Sequence, residues 1–284
     1  MATANALPIS LKLLRLAYQT LGPVLPGLFG SMAYHRWFTT TRFRPPVRER
    51  EALTTATIDS IPVDDVDVVT YCWGHTHDPL VLFVHGWSGR GTQVCAFVEP
   101  LLQAGFSVLS FDAPAHGQTP GRQTSVLQFV DVLLALQHRH GHFHACITHS
   151  VGGMALGIAA QHGFAPTRAV CICPPNDFDT ILHNFSRILA LPMAVRQSML
   201  QKLYASHGNI IKTLVRMDAN MARVHFPGLL IHDRDDPEIP WQDSDKIHHA
   251  WPGSRLMLTA GLKHHRIVRD DAVISAALDF LQQA

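Results

Sequence analysis

The sequence predicts an α/β fold: a mostly parallel central sheet flanked by helices, with a helical lid inserted late in the chain. Three observations carry that expectation. Short continuous apolar runs recur, as strands buried on both faces of a parallel sheet require. One of them, Phe143 to Ile147, leads into Thr148-His149-Ser150-Val151-Gly152-Gly153, a serine among small residues followed by the small-residue helical stretch Met154 to Ala160. A strand that turns sharply into a helix at a serine exposes a hydroxyl as a nucleophile. Between Pro174-Pro175 and Phe226-Pro227 lie about fifty residues with helical spacing and no strand.

In chain order, residues 1–50 read as an N-terminal apolar arm and linker, and 51–284 as the α/β domain, with the lid at about 176–225. Leu7 to Phe38 are apolar and punctuated by Gly22-Pro23, Pro26-Gly27 and Gly30. Ile9 to Leu21 has the spacing of an amphipathic helix with Lys12 and Arg15 on its polar side. A spanning helix needs about 20 consecutive apolar residues, and Lys12, Arg15 and the two prolines interrupt this stretch. No apolar segment with a small-residue cleavage site marks a signal peptide. Two readings stay open: an arm packed on the body or lid, which is favoured, or an interfacial segment in peripheral contact with a membrane. Arg42 to Glu51, with Pro45-Pro46 and mixed charge, reads as a linker.

Pro79 to Val84 is a buried strand ending at His85-Gly86-Trp87-Ser88-Gly89, and a further strand ends in Phe111-Asp112-Ala113-Pro114-Ala115-His116-Gly117. At the serine turn, Gly152 supplies the room that a strained backbone needs. Two residues before the serine, where glycine is usual, stands Thr148, which is tolerable with its side chain pointing away from the helix. Ser-x-Gly alone equally suits a helix N-cap.

In the expected lid, Ile181, Phe185, Ile188 and Leu189 recur at helical spacing, as do Met199, Leu200 and Leu203, then Ile210, Ile211 and Leu214. Phe178, Phe185, Met193 and Met199 are candidates for pocket lining. Gly228 to His232 is a short buried strand followed by three aspartates, Asp233, Asp235 and Asp236. A carboxylate at such a strand end accepts the N–H of a catalytic histidine and holds its tautomer. Asp233 is the one expected to shape the turn. Arg255 to Leu258 is the last strand; Gly261-Leu262-Lys263-His264-His265 follows, before a final helix from Ala272 to Gln282. Either histidine suits a general base.

With these segments in place, the chain from about Val66 to its end resembles α/β-hydrolase-fold serine hydrolases, in which nucleophile, acid and base come in the order Ser, Asp, His. More narrowly, it is similar to poorly characterised bacterial esterase/lipase-like members carrying H-G-W, F-D-A-P-A-H-G, H-S-x-G and G-L-x-H-x-R-I. The resemblance implies Ser150 as nucleophile. It implies Asp236 as acid, because the family's loop has the form D-x-x-[IV]-P, with Asp235 second. It implies His264 as base over His265, although Lys263 stands where the family has a small residue. The backbone N–H groups of Trp87, in the H-G-x loop, and of Val151 are implied as the oxyanion hole.

The implied activity is cleavage of a carboxylic ester or thioester with an apolar acyl group, through a Ser-His-Asp triad and an acyl-enzyme, with no cofactor and no metal. A serine nucleophile excludes the carboxylate-ester chemistry of dehalogenases and epoxide hydrolases. Two alternatives stand beside it: acyl transfer or cofactor-free perhydrolysis by the same triad, and a non-catalytic hydrolase-fold protein that only binds an apolar ligand, for which Thr148 and Lys263 speak.

Composition sets the outer bounds. The 284 residues are 47% hydrophobic and 16% charged, enough for one substantial core plus an insertion. A formal charge of +1 suggests no nucleic-acid partner. Five cysteines, mostly in apolar runs, fit a reducing cytoplasm, with peripheral membrane contact as the variant reading. Cys171 and Cys173 are expected on one face of a strand. His138, His140, His142 and His144 span a helix end, a loop and a strand, so convergence on a metal is not expected.

Overall fold

The computed structural model describes residues 8–75, 77–208 and 210–283; Leu7 and the side chains of Ile210 and Ile211 lie outside the described residues. Its strands are β1 (Thr57–Val63), β2 (Val66–Trp73), β3 (Leu80–Val84), β4 (Ser107–Phe111), β5 (Ala145–His149), β6 (Arg168–Ile172), β7 (Gly228–Asp233) and β8 (Ser254–Thr259). They form one eight-stranded sheet in the order β1-β2-β4-β3-β5-β6-β7-β8. Strand β2 runs antiparallel to both neighbours, and β4, β3 and β5 to β8 are parallel. Strands β4, β5 and β7 are buried along their whole length, as strands covered on both faces of a parallel sheet are. Edge strand β1 is mostly exposed.

The helices are α1 (Ile9–Thr20), α2 (Pro26–Trp37), α3 (Val47–Leu53), α4 (Cys95–Gln103), α5 (Val126–His140), α6 (Val151–Ala160), α7 (Phe178–Leu189), α8 (Met193–His207), α9 (Ile210–Leu214), α10 (Met217–Met221), α11 (Gln242–Ala250), α12 (Lys263–Arg266) and α13 (Asp271–Leu281). The chain divides into two compact units. A helical unit joins the residues up to Thr39 with Phe178–Leu214; a sheet unit holds Thr40–Asp177 and Val215–Ala284.

In the helical unit, α2 packs along α8 and α1 against α7. Aromatic edges make the seams: Tyr18 on Phe29 at 5.6 Å and Trp37 on Phe185 at 5.1 Å between centroids. Phe178 and Met199 are buried here, whereas Met193 is exposed. Helix α1 differs from the expected amphipathic pattern. Arg15 Nη1 donates to the carbonyl of Ile188, and the side turned to solvent carries Ile9, Leu13 and Leu16.

In the sheet unit, the core runs through Phe83, Val108, Ile147, Val170 and Ile231, one residue from each of five adjacent strands. Burial of such side chains is worth about 1.5–3 kcal/mol each. Two segments depart from expectation. Residues 42–51, read as linker, belong to this unit and run into α3, because Glu49 is buried against Arg90 (Nε–Oε2 2.5 Å) and accepts from Thr92 Oγ1 at 2.7 Å. Residues 215–225, read as lid, also belong here: α10 packs on α6 and α11, and Gln161 Nε2 donates to Asn220 O at 2.9 Å. Cys173 is past the end of β6 with φ +49°, so it is not a same-face pair with Cys171.

Candidate active site

The sheet order reverses at β3, which lies between β4 and β5, and the loops leaving the C-terminal ends of β3 and β5 therefore diverge at one point. Open α/β sheets bind ligands at such a switch point. Ser150 stands there, in the turn between β5 and α6, with φ +53° and ψ −124°. A non-glycine residue in that region costs on the order of 1–3 kcal/mol and persists only when its surroundings hold it. They do: Ser150 N–H donates to Ile172 O and Gly153 N–H to Ser150 O, both at 2.9 Å. A Cβ on Gly152 would lie 2.6 Å from Val84 O and 2.8 Å from His85 O, so only glycine lets α6 leave so close to β3.

The His85-Gly86-Trp87 loop reaches the same point, where a Cβ on Gly86 would come within 3.0 Å of Ser150 Cβ. Val151 is the first residue of α6, and its N–H is among those a helix leaves without an internal acceptor. Thr148 does not point away from the helix, as expected. It is buried, its Oγ1 donates to Val170 O at 3.5 Å, and it occupies space beside Gly153. The second glycine after the serine provides the room that a glycine at position 148 would have provided.

Across the sheet edge, the three aspartates divide their tasks. Asp236 Oδ2 meets His264 Nδ1 at 2.6 Å, with both side chains buried. Its Oδ1 accepts the N–H groups of Glu238 (2.8 Å) and Ile239 (3.1 Å), which is the physical content of the D-x-x-I-P spacing. Asp233 is fully buried; its Oδ1 takes Asp235 N–H at 3.0 Å and its Oδ2 takes Leu262 N–H at 3.0 Å and Thr259 Oγ1 at 2.8 Å. Asp235 Oδ2 takes Gly261 N–H at 2.8 Å. Two carboxylates thus hold the loop before His264 while the third faces its ring. His265 is exposed and pairs with Glu238 at 2.8 Å. Lys263 sits at φ +61°, the conformation for which a small residue or glycine is the easier choice.

The model of the alpha/beta hydrolase family matches residues 81–277. The chain belongs to the alpha/beta hydrolase family. Its eight-stranded, mostly parallel sheet agrees with that membership. It is 25% identical over 249 residues to the esterase YjfP of Escherichia coli (strain K12), covering 80% of this chain and 98% of that one. Among solved structures it is similar to the Pyrococcus furiosus esterase Pf2001 (TM-score 0.65, 18% identity, 86% of this chain and 98% of that one). It is also similar to a bacterial membrane phospholipase A described as a virulence factor (TM-score 0.63, 17% identity, 97% and 98%).

In this hydrolase the histidines carry more of the site than their scatter in the sequence suggested. His149, next to the serine, is buried, and its ring lies tilted at 42° against that of His264 with centroids 4.8 Å apart. Its Nε2–H donates to the His264 carbonyl at 2.9 Å. Burial, with His264 and His265 close by, holds its pKa well below the usual range, so it is neutral. His232 packs under Asp236: its Nε2 lies 3.1 Å from Ile239 O and 3.5 Å from Asp236 Oδ2, and its Nδ1 meets Ser244 Oγ at 2.6 Å. Burial alone would raise the Asp236 pKa; the His232 and His264 contacts overcome it and hold the carboxylate far below its ordinary range.

His85 and His116 secure the other side. His85 Nε2 accepts Ala113 N–H at 3.0 Å, and His116 Nε2 accepts Ser88 N–H at 2.9 Å. The second bond ties the loop of Trp87 to the Asp112–Gly117 segment, and the Trp87 ring stands edge-on to His116 at 5.7 Å. Asp112 anchors that segment by accepting Gly91 N–H and Gln118 N–H at 2.7 Å and Tyr71 Oη–H at 2.6 Å. Among the described residues, the group with metal-ligand proximity is Cys173, Asp236 and His264, with ligand atoms within 4.8 Å of one another. Asp236 and His264 already direct those atoms at each other. The histidines at 138, 140, 142 and 144 do not gather; His142 bonds Thr167 and His144 bonds Leu281 O.

Proposed function

We propose that this α/β hydrolase is a serine esterase acting on carboxylic esters or thioesters with an apolar acyl group. The observation that carries the proposal is the 2.6 Å contact of Asp236 Oδ2 with His264 Nδ1. A carboxylate on Nδ1 fixes the tautomer that leaves Nε2 free of hydrogen, which is what a general base needs. In this reading Ser150 Oγ attacks the substrate carbonyl and His264 Nε2 takes its proton. The N–H groups of Trp87 and Val151 hold the developing oxyanion. His264 returns the proton to the leaving alcohol or thiol, and then activates the water that releases the acid.

The helical unit is proposed as a lid that excludes water and shapes the acyl pocket. What supports it is connectivity: the chain departs to α7 just after β6, at the strand end where open sheets bind ligands, and resumes the sheet at β7. Hydrolysis of a p-nitrophenyl ester series from acetate to palmitate tests the proposal. A rate optimum at a chain longer than acetate, abolished in His264→Ala, is expected. No hydrolysis above buffer across the series would contradict it, and acyl transfer would show as ester product when an alcohol is added.

A further inference from the structure

Helix α1 is apolar on two opposite sides. Leu11, Leu14 and Tyr18 turn inward, while Ile9, Leu13 and Leu16 are 76%, 62% and 56% exposed. A helix with a second apolar side, beyond the one packed on the protein, calls for a second apolar contact. The next segment repeats the pattern, with Val24, Leu28 and Met32 exposed at helical spacing. Single exposed leucines are ordinary. Here, however, eight of the fourteen exposed large apolar side chains among the described residues fall within residues 9–32, a concentration that marks an interaction surface.

Charge identifies the occupant. No Asp or Glu occurs before Glu49, whereas Lys12, Arg15, Arg36, Arg42, Arg44 and Arg48 precede it. The helical unit as a whole has seven Lys or Arg against Asp179 alone, and the sheet unit has sixteen against twenty-one acidic residues. The chain's near-neutral total thus hides a basic unit that is also the apolar-faced one. No described helix is long and apolar enough to cross a membrane. At 1.5 Å per residue, the twelve residues of α1 span about 18 Å, short of the roughly 30 Å of a hydrocarbon core.

We propose that the α1–α2 segment docks on the surface of an anionic lipid bilayer, with Ile9, Leu13, Leu16, Val24, Leu28 and Met32 at the headgroup–acyl boundary and the exposed Lys12 and Arg36 on the lipid phosphates. The apolar face supplies area and the cations supply attraction, the two terms that govern interfacial helices. Docking is independent of the proposed catalytic chemistry.

The test is co-sedimentation of the full chain with phosphatidylcholine–phosphatidylglycerol vesicles and with phosphatidylcholine alone, for wild type and for Leu13→Glu/Leu28→Glu. Both substituted side chains are exposed, so the variant's circular dichroism and its mass in solution are expected to match wild type. The wild type is expected to bind the anionic vesicles roughly tenfold or more tightly than the neutral ones or than the variant does, and to release in high salt. Equal partition of wild type and variant, or no partition, would overturn the proposal. So would a wild-type dimer that becomes a monomer in the variant, since a second copy would then cover the face.

Discussion

His149 donates its Nε2–H to the main-chain carbonyl of His264 at 2.9 Å, so the residue before the serine grips the residue that carries the paired imidazole. The bond joins the end of β5 to α12, 115 positions apart in sequence. His149→Phe keeps a buried ring and deletes the donor, leaving the His264 carbonyl unpaired. A stability loss of about 1–3 kcal/mol is expected from urea unfolding, together with a fall in kcat larger than any change in KM.

Asp236 and Asp235 differ by one position and have unlike tasks. Asp236→Asn is expected to lower kcat by about 10⁴-fold, because an amide facing Nδ1 no longer selects the required tautomer. Asp235→Asn still accepts the Gly261 N–H and is expected to stay near wild type. Steady-state kinetics on one ester distinguishes them; equal losses would assign both carboxylates to loop structure.

Acid should weaken the fold before carboxylates protonate. Burial drives the His85 pKa from 6.5 down to about 4 and that of His116 down to about 3. The unfolded chain takes up these protons first, so the stability they contribute is complete above about pH 6.5 and declines as pH falls toward 4. Each imidazole contributes about 1.4 kcal/mol per pH unit within that window. Melting temperature is expected to fall steadily from about pH 6.5 to about pH 4.5, less steeply in His116→Gln. A flat profile would contradict neutral, buried imidazoles.

Arg90 and Glu49 form a buried, doubly hydrogen-bonded pair, with Nη2–Oε1 at 2.9 Å beside the Nε contact. Arg90→Ala would leave Glu49 buried without its counter-charge. A loss of about 3–5 kcal/mol is expected, measured by chemical denaturation, with Glu51→Ala, at an exposed position, as the near-neutral control.

That pair also shows where local reading ends. Pro45-Pro46 and mixed charge look like a solvated linker, and nothing near Glu49 announces an arginine 41 residues away. Strands β3, β5 and β7 were legible because burial on both faces leaves an unbroken apolar run. The serine turn was legible because its strained backbone and the close approach of α6 to β3 demand small residues. Thr148 was misread because its room comes from Gly153, in the first turn of α6. The roles of His85, His116, His149 and His232 depend on which ring nitrogen meets which backbone group across the fold, and no spacing rule encodes that. The outward apolar side of α1 was hidden for a similar reason: its inward side is apolar too, so periodicity does not say which face is covered.

Intact mass after incubation with a fluorophosphonate, for wild type and Ser150→Ala, tests the activated serine most directly. Stoichiometric labelling of the wild type, lost in the variant together with roughly 10⁶-fold of kcat, is what an assembled Ser150–His264–Asp236 triad requires. A folded wild type that stays unlabelled, or a Ser150→Ala variant that labels and turns over as before, would contradict it.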